Sequence, residues 1–275
     1  MSFEYGFYED HSSIIKEIPL IYHLTTIDEK CSGLFEAHWH ENLELLFFEK
    51  GHGTILINSI PHEFTDGTIM IVNSNNIHKF LNHVGDVTYH CLIIDHIFCT
   101  NYSLDFTETF FTSFVTTPSV QKIITLIIEE YTKCNDHYTV SNIRALTLML
   151  INNLFRYNCN SRGSQLSDTD NAKIELVKEA ILFISKNYTK EIQIDTISSE
   201  LAISKFHLCR IFKTTTGQTI NSFINECRCH KAKVLLSNTS LSISKVADES
   251  GFNDTAYFTK CYKRQYGILP SKDRH

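Results

Sequence analysis

The chain has 275 residues, 43% hydrophobic and 20% charged, with 10 Gly and 4 Pro, the profile of one large globular domain or two ordinary ones. No apolar run approaches the roughly 20 residues of a membrane-spanning helix, and Met1-Ser2-Phe3-Glu4-Tyr5 lacks the basic and apolar regions of an export signal. A cytoplasmic address and no membrane partner are expected. The net charge of −6 is unevenly spread: residues 172–275 hold 16 basic side chains against 10 acidic, and the preceding 171 hold 9 against 21. Such asymmetry suggests a nucleic-acid-binding module joined to a separate unit.

Nine cysteines, an odd number, are scattered at Cys31, Cys91, Cys99, Cys134, Cys159, Cys209 and Cys261, with only Cys227-Arg228-Cys229 close together. That C-x-C lacks the second pair a zinc site needs, so reduced thiols are expected. The first strongly patterned segment is His38-Trp39-His40-Glu41-Asn42-Leu43-Glu44. On a strand His38 and His40 share a face, Glu44 joins them at an even spacing, and a returning strand could bring His78 alongside. Three imidazoles and a carboxylate suit Fe, Mn, Ni or Zn with coordination positions left open. The same residues could instead line a pocket for an organic ligand, or serve only as internal hydrogen-bonding groups; Trp39 and nearby Phe and Tyr suit stacking on a sugar, but such side chains are more often simply core.

Short apolar runs follow at roughly ten-residue spacing: Leu43–Phe48, Thr54–Ile57, Thr68–Val72 and Tyr89–Ile94, with turn signals at Gly51-His52-Gly53, Asn58-Ser59 and Thr65-Asp66-Gly67. This is the pattern of a sandwich or small barrel. The segment resembles the cupin double-stranded β-helix, whose motifs carry an H-x-H, a Glu and a later His at these spacings.

After Pro118 the period changes. Val120, Ile123, Ile124, Ile127, Ile128 and Tyr131 mark one amphipathic helix, and Ile143, Leu146, Leu150, Ile151 and Leu154 mark a second over about Val140–Tyr157. Asn158–Asn171 is polar and aperiodic, a linker. The expected division is a ligand-sensing unit over 1–117, a helical hairpin over 118–158, a linker over 159–171 and an all-α unit over 172–275.

The last unit contains two similar constellations. In the first, Ile197 and Leu201 belong to a short helix, Ser204 stands where an N-cap is needed, and Leu208, Ile211 and Phe212 point to a core. In the second, Ile243–Ser250 is a short helix ended by Gly251, Asp254 caps the next, and Thr255–Tyr266 carries apolar surface on Tyr257, Phe258 and Tyr262. Thr219–Leu236 reads as a long helix between them. Two short helices around a tight turn, the second basic outside, describe a helix-turn-helix, here present twice.

Ile174–Arg274 resembles the DNA-binding domain of AraC/XylS-type bacterial regulators. The match lies in Ser204–Lys213 with Gly217, and in Gly251-Phe252-Asn253-Asp254-Thr255-Ala256-Tyr257-Phe258 continuing through Tyr262-Lys263 to Tyr266-Gly267-Ile268-Leu269-Pro270-Ser271. Ser198 replaces a usual small Ala. The resemblance implies base reading by Phe206, Cys209 and Arg210 in the first motif and by Thr255, Ala256, Thr259 and Lys260 in the second. Lys205, Lys213 and Lys263 would contact phosphate. It also implies a cupin-like sensor that takes a sugar or other small-molecule effector on His38, His40, Glu44 and His78. Most such sensors need no metal, so no cofactor is assigned, although a divalent metal in the barrel is chemically feasible. The expected partners are double-stranded DNA, the effector, a second copy through the 118–158 hairpin, and RNA polymerase as a further candidate. No catalytic residue is assigned. The competing expectation is a metal-dependent cupin enzyme with an accessory DNA-binding domain.

Overall fold

A computed structural model describes residues 18–28, 37–107, 109–133, 136–159 and 167–274. Met1–Tyr5, Cys31, Cys134 and most of the polar stretch expected as a linker lie outside the described residues. Five strands, β1 (Leu20–Ile27), β2 (Leu43–Ile57), β3 (Ile60–Phe64), β4 (Ile69–Val72) and β5 (His78–Ile94), form one antiparallel sheet. The order is β1-β5-β2-β3, with β4 pairing the first half of β2 while β3 pairs its second half.

One expected turn is not a turn. Gly51-His52-Gly53 runs inside the 15-residue β2, where the register against β5 shifts between Phe48 and Lys50 and again between Lys50 and His52. Gly51 has φ 108°, and a Cβ there would stand 2.8 Å from Val87 Cγ2 and 2.9 Å from the Asp86 carbonyl oxygen. The glycine permits a bulge that bends the strand without reversing it. The Gly51 amide donates to Asp66 Oδ1 at 2.6 Å, tying the bend to the following loop. Asn58-Ser59 does reverse the chain, with φ of 45° and 74° between the paired Ile57 and Ile60, the two-residue hairpin form that suits strand twist.

Alternation along β2 gives the sheet two buried faces. Leu43 and Leu45 face one way, packing with Ile69, Ile71, Leu92 and Ile94 against two helices, α2 (Pro118–Lys133) and α3 (Thr139–Tyr157); a short α1 (His96–Thr100) precedes them. Val120, Ile123, Ile124 and Ile127 meet Ile143, Leu150, Ile151 and Leu154 there, the apolar stripes read from the sequence. Glu44, Leu46 and Phe48 face the other way, where Phe64, Met70, Phe80 and Tyr89 fill the interior and Phe48 stacks on Phe64 at 3.8 Å.

The helical half comprises α4 (Asp168–Asn187), α5 (Ile194–Glu200), α6 (Lys205–Thr216), α7 (Ile220–Asn238), α8 (Ile243–Glu249) and α9 (Thr255–Tyr266). α4 begins before residue 172 because Ser167, in extended conformation, accepts from the Asp170 amide and starts the helix inside the polar stretch. Opposite faces of α7 serve two cores in succession. Phe223, Ile224 and Cys227 join Leu208, Ile211 and Phe212 of the first motif, and Cys229, Ala232 and Leu236 join Val246, Phe258 and Tyr262 of the second. Between them Arg228 donates to the carbonyls of Tyr188 (2.7 Å) and Lys190 (2.8 Å) just past α4, and its guanidinium lies 5.8 Å from the Phe252 ring. The connector thus locks α4 and both motifs into one body.

Candidate functional site

Ser204 accepts from the His207 amide to start α6, and Asp254 accepts from the Tyr257 amide at 2.5 Å to start α9; Gly217 and Gly267 end them in the left-handed region. With the cores taking Leu208, Ile211 and Phe212 or Phe258, Cys261 and Tyr262, one side of each helix is left at the surface. Phe206 is 80% exposed, an unusual state for an aromatic ring that is not part of a binding surface. Arg210 and Lys213 are exposed beside it, and Cys209 is half-buried against the core. On α9, Thr255, Ala256, Lys260 and Lys263 are exposed, whereas Thr259 is half-buried and donates to the Thr255 carbonyl at 2.8 Å.

Three details go beyond the sequence reading. Lys205 binds Asp195 at 2.6 Å, so a phosphate contact there must compete with an existing partner. That hydrogen bond and charge raise the Lys205 ammonium above its ordinary range. Tyr257, expected on the apolar side of α9, is instead 50% exposed, and its hydroxyl accepts from Asn225 Nδ2 of α7 at 2.9 Å. Ser198 is buried where the family favours Ala, and its hydroxyl is satisfied by donating to the Asp195 carbonyl at 3.0 Å.

The structure also brings His38, His40, Glu44 and His78 together, with one ligand atom from each within 4.8 Å of the others. Paired backbone hydrogen bonds link His38 and His78, amide to carbonyl at 3.2 Å and 2.9 Å, which sets the two rings 4.1 Å apart. Glu44 Oε2 lies 3.1 Å from His40 Nε2 and 2.9 Å from His78 Nε2, and Oε1 accepts from Cys91 Sγ at 3.1 Å. Burial alone would raise the Glu44 carboxyl, but the charge of His78 and hydrogen bonds from both imidazoles outweigh it and hold the group well below the usual carboxylate range. On the far nitrogens, His40 Nδ1 lies 3.0 Å from the Asn42 carbonyl and His78 Nδ1 lies 2.9 Å from the Asn76 carbonyl. A carbonyl only accepts, so each Nδ1 carries a proton and each Nε2 is the atom turned to the carboxylate.

Trp39 does not join this group. Standing between His38 and His40, it points to the opposite side and is buried with Ala37 and Ile77 in the core of the first helix-turn-helix, beside Ile174, Val177 and Ile181. Of the two readings open for Trp39, stacking platform or core, strand alternation makes it core: the ring is a contact between the two halves of the chain. Around it, Lys178 Nζ lies 6.0 Å from the Trp39 ring, Lys79 pairs with Glu226 at 3.7 Å, and Ser59 donates to Thr215 at 3.4 Å. The adjacency of Trp39 to both histidines was visible in the sequence; the surface it would meet was not.

Known family models match both halves of the chain. The AraC-like ligand binding domain matches residues 33–147, and a helix-turn-helix domain matches residues 197–275. The HTH-type regulator YdeC of Bacillus subtilis is 23% identical over 92% of this chain and 91% of its own. The HTH-type transcriptional activator RhaS of Mannheimia succiniciproducens is 23% identical over 88% and 90%. Among solved structures, the C-terminal domain of the response regulator yesN from Fusobacterium nucleatum is 32% identical, covering 38% of this chain and 99% of that one, with a TM-score of 0.34. The fold and its matches define a ligand-responsive, DNA-binding transcription regulator. Within that class the chain is of the AraC/XylS family, with the ligand-binding domain first and the paired helix-turn-helix unit after it.

Proposed function

We propose that this regulator reads DNA with α6 and α9 as a single bipartite unit and senses its ligand at His38, His40, Glu44 and His78. The observation that carries the first part is the shared connector: one helix, α7, contributes to both motif cores, so the two outward faces are held in fixed relation. Arg210 and Lys260 are the donors suited to guanine O6 and N7, and Phe206 and Ala256 suit a thymine methyl. Lys213 and Lys263, and Lys205 once released from Asp195, position the unit on phosphate. The relatives are named as transcriptional regulators, and no catalytic role is assigned to this chain. Leu126 and Met149 on the α2–α3 hairpin are exposed and give a second copy of the chain a surface to cover, which supports a homodimer. RNA polymerase is the partner through which an activator of this kind would act. No helix among the described residues is long and apolar enough to cross a membrane, and a cytoplasmic site of action fits a DNA-binding role.

Selection of binding sites from a random duplex pool by the purified chain tests this reading. Enrichment of one sequence pattern with two separate conserved blocks is expected. Recovery of unenriched sequences, bound only in proportion to low salt, would reduce the basic faces to non-specific electrostatics.

A further inference from the structure

We infer that Tyr257 is a further DNA contact, its hydroxyl donating to a backbone phosphate between the two major grooves, with Asn225 as the residue that positions it. This contact rests on the reading of α6 and α9 as one bipartite DNA-binding unit. It adds a neutral donor to the basic and base-reading positions of the two motifs. Tyr257 stands in the first turn of α9, beside the base-reading candidates Thr255 and Ala256, and is half exposed. The core of the second motif is closed without it, by Phe252, Phe258, Cys261 and Tyr262.

The phenol is fixed from two sides. Asn225 Nδ2 donates to its oxygen at 2.9 Å, and its ring meets that of Phe252 edge-on with centroids 6.3 Å apart. Asn225 is itself buried. It lies one turn before Cys229 on the face of α7 that serves the second motif, yet at the height of Phe223 and Ile224, which serve the first. The bond therefore ties the start of α9 toward the first motif and sets the phenol on the flank of α9 that looks to α6. A tyrosine hydroxyl can accept one hydrogen bond and still donate its proton. Here it accepts from Asn225 and makes no second hydrogen bond among the described residues, so the proton is available to an outside acceptor.

The shape of the duplex identifies that acceptor. The N-terminal residues of a recognition helix approach base edges. A helix about 10–12 Å across fills a major groove about 12 Å wide, so the flanks of that same turn meet the phosphate walls. With Thr255 and Ala256 toward the bases, Tyr257, about 100° further round the helix than Ala256, faces a wall. On the side of α6 that wall is the backbone separating the two grooves. The charge distribution agrees. Arg228 stands over the Phe252 ring at 5.8 Å, and the groups it donates to, the Tyr188 and Lys190 carbonyls, are neutral, so its positive charge remains in the seam between the motifs. A hydroxyl beside a cation suits a phosphate oxygen, a contact that positions the protein without reading sequence.

The test uses the full-length chain and a duplex carrying its selected site. Tyr257→Phe keeps the ring and removes the hydroxyl. It should weaken binding about tenfold or more at all sequences alike, and leave the salt slope unchanged, because a phenol displaces no counterion. Methylphosphonates, which neutralise one phosphate at a time, should then locate the contact. One position between the two conserved blocks should cost the wild-type chain affinity and cost Tyr257→Phe nothing further. Asn225→Leu, with the phenol present but untied, should lose most of the sensitivity at that position; full sensitivity would overturn the positioning role. Wild-type affinity in Tyr257→Phe would overturn the contact, as would losses that simply add at every methylphosphonate, the behaviour of a purely structural tie. Because phosphate is common to all duplexes, Tyr257→Phe should also bind an unselected duplex more weakly. A chain that selects no sequence would thus defeat the regulator reading, while that comparison would still decide the contact.

Discussion

Gly251→Ala is expected to abolish sequence-specific DNA binding by unseating the second motif. Gly251 sits just past α8 at φ 91°, a region that costs a residue with a side chain about 1–3 kcal/mol. An added Cβ would also stand 2.8 Å from Thr189 Cα, 2.8 Å from the Tyr188 carbonyl oxygen and 2.9 Å from that of Thr189, all backbone atoms that cannot swing aside. Forcing that approach adds about 1–3 kcal/mol of overpacking. The same two residues lie where Arg228 docks, since its guanidinium is held by the Tyr188 and Lys190 carbonyls. Displacing this corner loosens α7 from α4 and tilts α9 relative to α6. Urea unfolding followed by helical signal should show a loss of about 2–6 kcal/mol in the helical half. Gel shifts should show residual binding that is strongly salt-dependent. An unchanged unfolding midpoint would contradict the close approach of the second motif to the end of α4.

Arg210→Ala and Lys260→Ala should each weaken binding to the selected site by about 1–3 kcal/mol, roughly 5–150-fold, and relax preference at different base pairs. Both side chains are exposed on the outward face of a capped helix, and neither forms an ion pair with a carboxylate among the described residues. Arg210 has a guanidinium nitrogen 3.3 Å from His207 Nδ1, a weak neighbour that leaves its remaining donors for a base edge. Lys213→Ala is the contrast. It should weaken all sequences alike and lower the salt slope by about one, as loss of a phosphate contact does. If Arg210→Ala behaved as Lys213→Ala, α6 would be a backbone clamp and not a reading helix.

The paired motifs were legible in the sequence because their signals are local. Ser204, Asp254 and Gly251 each act within one helical turn, and the apolar positions Leu208, Ile211, Phe258 and Tyr262 repeat at helical spacing. The proximity of the histidine–glutamate cluster was legible too, since His38, His40 and Glu44 share a parity and His78 follows at a plausible return. What stayed hidden depends on contacts distant in sequence. Gly51-His52-Gly53 has the composition of a turn, and only the close approach of Val87 from β5 makes it a bulge in one long strand. β1 and β3 carry weak alternation, and their strand identity comes from pairing with β5 and β2. The partners of Trp39 were hidden for the same reason: a core role could be read from the sequence, but the second half of the chain supplies the surface it packs on.

The central claim is that α6 and α9 read DNA as one rigid unit on α7. The most direct measurement is the affinity of the chain for its selected site after base pairs are inserted between the two conserved blocks. Two helices on one connector span adjacent major grooves about one turn, ~34 Å, apart. Inserting half a turn or a whole turn should each cost about a hundredfold or more, because only one block can then be read. Undiminished affinity for either spaced site would show that the two motifs bind independently and would contradict the account.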